Sequence, residues 1–180
     1  MVFVQLTLFS KALSRLTEKL RAVTLPASPP QPARRRRSWK EAPELKAIWL
    51  ELQKEYFPGR TELGNFSICW SSRRQLRTLA SCNAPGRKVT VARELNTPSC
   101  AQWLPPLLYH EMCHAVLAEQ VRASRGKMKY HGREFKQLER QHPLVKELNR
   151  WIRAGGWIHA VRSHRAKEVH EKKRLREKAA

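Results

Sequence analysis

The chain has 180 residues, enough for one folded domain with a real core and too short for two large ones. Lys and Arg number 36 against 15 Asp and Glu, which gives a net charge of +21. No stretch reaches the ~18 apolar residues of a membrane span, which argues against a transmembrane protein. The charge excess favours a polyanionic partner, nucleic acid before an anionic membrane surface, although a basic protein whose charge serves solubility alone is an alternative.

The first 42 residues are predicted to lie outside the folded domain. From Phe9 onward, leucines recur at helical spacing among basic residues, a pattern typical of a basic amphipathic helix rather than a secretory signal. Prolines between Pro26 and Pro32, followed by the basic run Arg34 to Arg37, predict a flexible linker. A nucleic-acid-contacting arm, a localisation signal and an organelle transit peptide remain open for this segment.

A domain over residues 43–158 is predicted to be α+β. Apolar residues at helical spacing follow Pro43 and stop at Pro58-Gly59, which predicts a first helix. The turn signal at residues 83–86 predicts a hairpin, and the sheet is expected to be small and mostly antiparallel. The three predicted strands are Phe66–Trp70, Gln75–Cys82 and Lys88–Ala92.

The second half of the chain is predicted to be helical. Helices are expected from about Pro105 to Gln120, where the pattern indicates extensive burial, then near His131, and again after Pro143. Residues 159–180 are almost entirely polar, with eight Lys or Arg against three Glu. This basic C-terminal tail is expected to be solvated or to face nucleic acid.

The residues most informative about chemistry are His110, Glu111 and His114, which form an HExxH motif. On a helix this spacing puts both imidazoles on one face, where they can share a tetrahedral zinc ion. Glu111 lies beside that face and is well placed to polarise a metal-bound water. The chain's composition gives roughly 0.02 chance matches to this pattern, so we expect a minimal zincin-like fold with Zn²⁺ as cofactor.

A catalytic zinc needs a third protein ligand and an open position. Leu117 and Gln120 stand where the metzincin pattern requires Gly and His, so that class is excluded. His131 is the nearest downstream histidine and is the favoured third ligand. Glu134 and Glu139 are rivals, because a glutamate from the following helix is the third ligand in the thermolysin type.

Four segments over residues 43–158 resemble the SprT-like (Spartan-type) metalloprotease domain. They are Arg77–Cys82, Lys88–Val91, Leu107–Ala115 and His131–Phe135. The resemblance implies a zincin-like fold, zinc on His110, His114 and His131, Glu111 as the catalytic base, and proteolysis linked to DNA. Many relatives carry a cysteine zinc ribbon after the protease domain, and this chain has no cysteine beyond Cys113. The basic tail is the expected replacement as a DNA contact.

The expected function is therefore zinc-dependent hydrolysis of protein substrates, with DNA as a partner through the basic arm and tail. One alternative is a non-catalytic zinc-containing nucleic-acid-binding protein, in which Cys100 or Cys113 would have to complete a closed site. Another is a zinc hydrolase of nucleic-acid phosphodiesters. The four cysteines form no CxxC pair and predict free thiols in a reducing compartment, either cytoplasmic or, for a DNA-associated protein, nucleoid or nuclear.

Overall fold

The computed structural model describes residues 40–123 and 131–179. The predicted amphipathic helix and most of the predicted linker lie outside these residues. The described part is α+β, as predicted, with a small sheet and with most of the described residues in helices. The helices are α1 (Pro43–Tyr56), α2 (Leu104–Ala123), α3 (Arg133–Glu139), α4 (Val145–Arg153) and α5 (Gly156–Ala179); the strands are β1 (Ser67–Trp70), β2 (Ala80–Asn83) and β3 (Lys88–Val91); and 3-10 helices span Thr61–Asn65, Arg93–Leu95 and Pro98–Trp103.

Helix α1 follows the predicted pattern closely. Pro43 occupies the first turn, where the missing N–H costs no helical hydrogen bond. Leu45, Trp49 and Leu52 are buried at helical spacing. The Trp49 indole donates a hydrogen bond of 2.8 Å to the carbonyl of Leu63, so the buried ring also satisfies its polar group.

The sheet has the strand order β1-β3-β2. Strands β2 and β3 are antiparallel, with Cys82 opposite Val89, and form the predicted hairpin. Strand β3 lies between β1 and β2, and its pairing with β1 is parallel. The sheet is therefore mixed, and β2 is left at its edge.

The strand predicted from Gln75 begins only at Ala80. The Gln75 N–H donates to a carboxylate oxygen of Glu94 at 2.8 Å, and the Leu76 carbonyl accepts from the Trp157 indole at 3.1 Å. These backbone groups form hydrogen bonds with side chains and not with a neighbouring strand. The prediction of a longer strand was wrong for this physical reason.

Helix α2 is the central element, and its burial agrees with the sequence pattern. Leu108, Tyr109 and Met112 have no exposed surface. The helix contacts α1, α3, α4 and β2. Residues of the motif are therefore fixed by packing on several sides.

Helix α5 begins where the sequence places an interruption. Gly155 has a φ of +84°, a left-handed conformation that glycine adopts without strain and that ends α4. The first turns of α5 bury Trp157, Ala160 and Val161, so the boundary predicted at residue 158 falls within this helix. No helix in the described ranges is both long and apolar enough to cross a membrane.

Candidate metal centre

Three histidine side chains converge beside α2. His110 and His114 lie one turn apart on this helix, and His131 comes just before α3. Their ligand nitrogens all lie within 4.8 Å of one another, and Nε2 of His131 is 3.1 Å from Nε2 of His114. Tetrahedral zinc with Zn–N bonds of about 2.0–2.1 Å requires about 3.3 Å between its ligand nitrogens. The three imidazoles could therefore hold one metal ion.

Glu139 fixes the orientation of one of these rings. Its Oε1 is 2.6 Å from Nδ1 of His110, which leaves Nε2 of His110 as the available ligand atom. This hydrogen bond is the main reason why the pKa of Glu139 is lowered. A carboxylate on the outer nitrogen of a ligating histidine is the usual support of a metal site.

Phe135 forms an apolar wall against the histidines. It is buried, and its ring centroid lies 5.0 Å from that of His110, 4.5 Å from that of His114 and 4.7 Å from that of His131. Phe135 and Glu139 are four residues apart on α3 and so share one helical face. A single face of α3 thus supplies both the wall and the orienting carboxylate.

Glu111 is 4% exposed and points toward the edge strand β2. Burial raises the pKa of its carboxyl to about 7, against the opposing effects of the His110 charge and a hydrogen bond from the backbone N–H of Cys82. A carboxyl with a pKa near neutral can take up a proton and return it at physiological pH.

The protonation of His114 and His131 suits metal binding. Burial, followed by the charges of His110 and His131, lowers the pKa of His114 to about 4. The pKa of His131 is also lowered, mainly by burial and then by the charge of His110. A metal ligand must be the neutral imidazole, so neither ring has to lose a proton near pH 7 before it can coordinate.

The structure brings together His110, His114 and His131, the three ligands named from the sequence. Of the two rival glutamates, Glu134 is exposed, and Glu139 contacts the outer nitrogen of His110. Neither belongs to the group of ligand atoms that converge. Sequence reasoning missed this supporting role of Glu139, although its spacing from Phe135 carried a signal.

Sequence reasoning also missed the contact of the Cys82 backbone with Glu111. The contact joins an edge-strand amide to a helix residue, and side-chain patterns carry no signal for it. Glu111 is buried beside β2. Its environment therefore depends on the three-dimensional fold and could not be predicted from the sequence pattern.

The site and the fold define an α+β protein with an HExxH helix and a three-histidine site that could bind a metal ion. The sequence model of the SprT-like family matches residues 45–152, more than half of the chain. The chain therefore belongs to the SprT-like family, and the resemblance seen in the sequence is confirmed. Searches of curated proteins and of solved structures found no significant match.

Proposed function

We propose that this chain is a zinc-dependent metalloprotease with a zincin-like domain over residues 43–158. The observation that carries the proposal is the convergence of His110, His114 and His131 beside a buried Glu111. Three imidazoles, with no fourth side chain in their group among the described residues, form a donor set typical of catalytic zinc. A zinc ion held there would supply an activated water and a Lewis acid for the scissile carbonyl.

The residues of the chain have separate tasks in the proposed reaction. Glu111 accepts a proton from the attacking water and returns it to the leaving amine. Glu139 holds His110 in the tautomer that presents Nε2 to the metal. Phe135 excludes water from one side of the imidazoles, which strengthens electrostatic interactions in the site.

The direct test compares zinc-loaded wild type with Glu111→Gln and Glu134→Gln on casein and on histones. We expect cleavage by wild type and by Glu134→Gln, whose exposed side chain lies outside the histidine group. Glu111→Gln should retain zinc and lose at least about 100-fold in rate, the lower range for a general base. Zinc content is measured for every protein, and loss of zinc from Glu111→Gln together with activity would contradict the role assigned to Glu111.

The same proteins distinguish the protease from the two alternative functions, a non-catalytic nucleic-acid-binding protein and a nucleic-acid phosphodiesterase. A non-catalytic nucleic-acid-binding protein would require a fourth protein ligand, and neither Cys100 nor Cys113 belongs to the converging group. Absorption spectroscopy of the cobalt-substituted protein reports whether a thiolate coordinates. Hydrolysis of DNA or RNA that is lost in Glu111→Gln, without cleavage of protein, would instead indicate a phosphodiesterase.

We further propose that DNA is a partner and that α5, with the basic N-terminal arm, supplies the contact. The three glutamates of this helix already face cations: Glu168 lies 2.6 and 2.7 Å from Arg74 and Arg93, Glu171 lies 2.7 Å from Arg174, and Glu177 lies 3.8 Å from Lys173. Six more Lys and Arg side chains of α5 add uncompensated positive charge. Cations on the exposed part of a helix favour contacts with phosphates rather than with bases.

DNA binding is tested by titration of labelled single- and double-stranded DNA at several salt concentrations. Lys172→Gln and Arg176→Gln should weaken binding and reduce the salt slope by about one each. Lys54→Gln in α1 is the matched control and should leave the slope unchanged. Equal affinity for all four proteins would refute a contact through α5.

The four free cysteines support a reducing compartment, cytoplasmic or DNA-containing.

A further inference from the structure

A cavity of about 220 Å³ lies between the β2–β3 turn and helix α2. Ala84 and Pro85 of the turn form one side, and Ala115 and Ala118 of the helix form another. Pockets that hold a whole small-molecule ligand typically have volumes of ~300–1,000 Å³. This cavity has room for one amino-acid side chain.

The cavity lies next to Glu111 along α2. Glu111, Ala115 and Ala118 have the spacing i, i+4 and i+7, so they share one face of the helix. At a rise of 1.5 Å per residue, Ala115 is about 6 Å and Ala118 about 10 Å from Glu111 along the axis. A substrate positioned at Glu111 therefore has its neighbouring residues within reach of the cavity.

Strand β2 gives such a substrate a direction. It is the edge strand of the sheet, and it packs beside Glu111 of α2. An extended peptide that pairs antiparallel with this edge, as β3 does on the other side, runs from the turn at Ala84 toward Ala80. Its residues N-terminal to the scissile bond then lie nearest the cavity.

The walls of the cavity combine apolar surface with charge. Leu63 and Phe66 are buried residues that form its apolar part. Arg60, Glu62 and Arg87 line it as well, and the Arg60 guanidinium is ion-paired with Glu62. With two cations and one anion, the lining has a surplus of one positive charge, and Arg87, whose charge also acts on Glu62, is the cation outside the close ion pair.

The backbone of Arg87 is held in an unusual conformation. Its φ of 46° is in the left-handed region, where a glycine would be unstrained. The Arg87 N–H donates to the Ala84 carbonyl at 3.1 Å, and the Arg87 carbonyl accepts from Ser67 at 2.9 Å. Backbone strain of this kind destabilises the folded state. The turn therefore holds a cationic side chain at the cavity despite a local cost.

We propose that this cavity is a specificity subsite that receives an acidic substrate side chain from the N-terminal side of the scissile bond. The proposal rests on the proteolytic function proposed above. The aliphatic part of a substrate glutamate contacts Leu63 and Phe66, and its carboxylate faces Arg87. The rest of the substrate lies along β2 with the scissile bond at Glu111.

The test is the cleavage of a mixed library of unstructured peptides by the zinc-loaded full chain, with mass-spectrometric identification of the cut sites. Wild type should favour Glu or Asp within three residues N-terminal to the cut. Arg87→Glu should cleave acidic peptides about five- to tenfold more slowly and favour Lys at that position, as expected for reversal of one exposed charge. Ala118→Leu should fill the cavity and remove the preference for acidic residues. Peptides with Gly or Ala in place of the acidic residue should still be cut by this variant.

Arg153→Glu in α4 makes the same change of charge away from the β2–β3 turn and should keep the wild-type profile. Zinc content and the urea midpoint of each variant control for folding. The subsite is refuted if cleavage depends on Glu111 but shows no acidic preference, or if that preference is unchanged in Arg87→Glu. In either case the proposed proteolytic function still stands. If no protein cleaves peptides, the proteolytic function fails, and the subsite fails with it.

Discussion

The buried carboxyl of Glu111 leads to a prediction about the stability of the metal-free protein. Replacement by Gln keeps the size of the side chain and an oxygen that can accept the hydrogen bond from Cys82, and it removes the ionisation. The two proteins should therefore differ in how their stability depends on pH, and much less in how they pack.

The direction in which stability changes with pH follows from the raised pKa of Glu111. The carboxyl titrates near 4.5 in the unfolded chain and near 7 in the folded protein. Its contribution to stability is fully present below pH 4.5 and is lost as the pH rises through 7, because the folded state must then ionise a buried group. One pKa unit is worth about 1.4 kcal/mol, so the total loss is about 3 kcal/mol. At 4% exposure, solvent screening reduces this value little.

The assay is urea unfolding of both proteins after removal of metal, at several pH values between 4.5 and 8.5. We expect similar stability near pH 4.5, and Glu111→Gln to be more stable by about 3 kcal/mol above pH 8. Comparison at equal pH cancels the opposite effect of His114, whose pKa is lowered to about 4 and whose contribution is lost as the pH falls from 6.5. A stability difference that does not change with pH, or a less stable Glu111→Gln at pH 8, would refute this account of the site.

Two further predictions concern the support of the site and the packing of α5. Glu139→Ala should lower zinc affinity by about 10–100-fold in chelator competition, as expected for a residue that is hydrogen-bonded to a ligand. A loss of several further orders of magnitude would identify Glu139 as a direct ligand instead. Gly156→Ala should lower the free energy of unfolding by about 1–3 kcal/mol, because the added Cβ would lie 2.1 Å from the indole nitrogen of Trp151. Gly59→Ala has no atom within 4 Å of the new Cβ and is the control; equal stability of both variants would show that Trp151 moves aside freely.

Helix α2 could be predicted because its signals are local. Proline near the first turn, apolar residues around most of the helix and the spacing of His110 and His114 all lie within one segment. His131 was found by a different route, from its nearness in the chain and from the SprT-like pattern. The convergence of its ring with the other two depends on how α3 packs against α2.

Strand β2 was predicted poorly because its length is decided by distant residues. Nothing in the local pattern of Gln75 or Leu76 distinguishes a strand from a loop. Glu94 and Trp157 take the backbone groups of these residues, and they lie 19 and 81 residues further along the chain. Contacts of this kind are set by tertiary packing, which overrides local β-propensity.

The HExxH motif and its reactivity come from different parts of the fold. Helical geometry alone aligns His110 and His114, so two of the three candidate ligands can be predicted from five consecutive residues. The pKa of Glu111 cannot be read in this way, because it depends on burial beside β2. The same strand leads into the turn that holds Arg87 at the neighbouring cavity. The edge strand therefore connects the proposed base with the proposed specificity subsite, and a change in its position would alter both together.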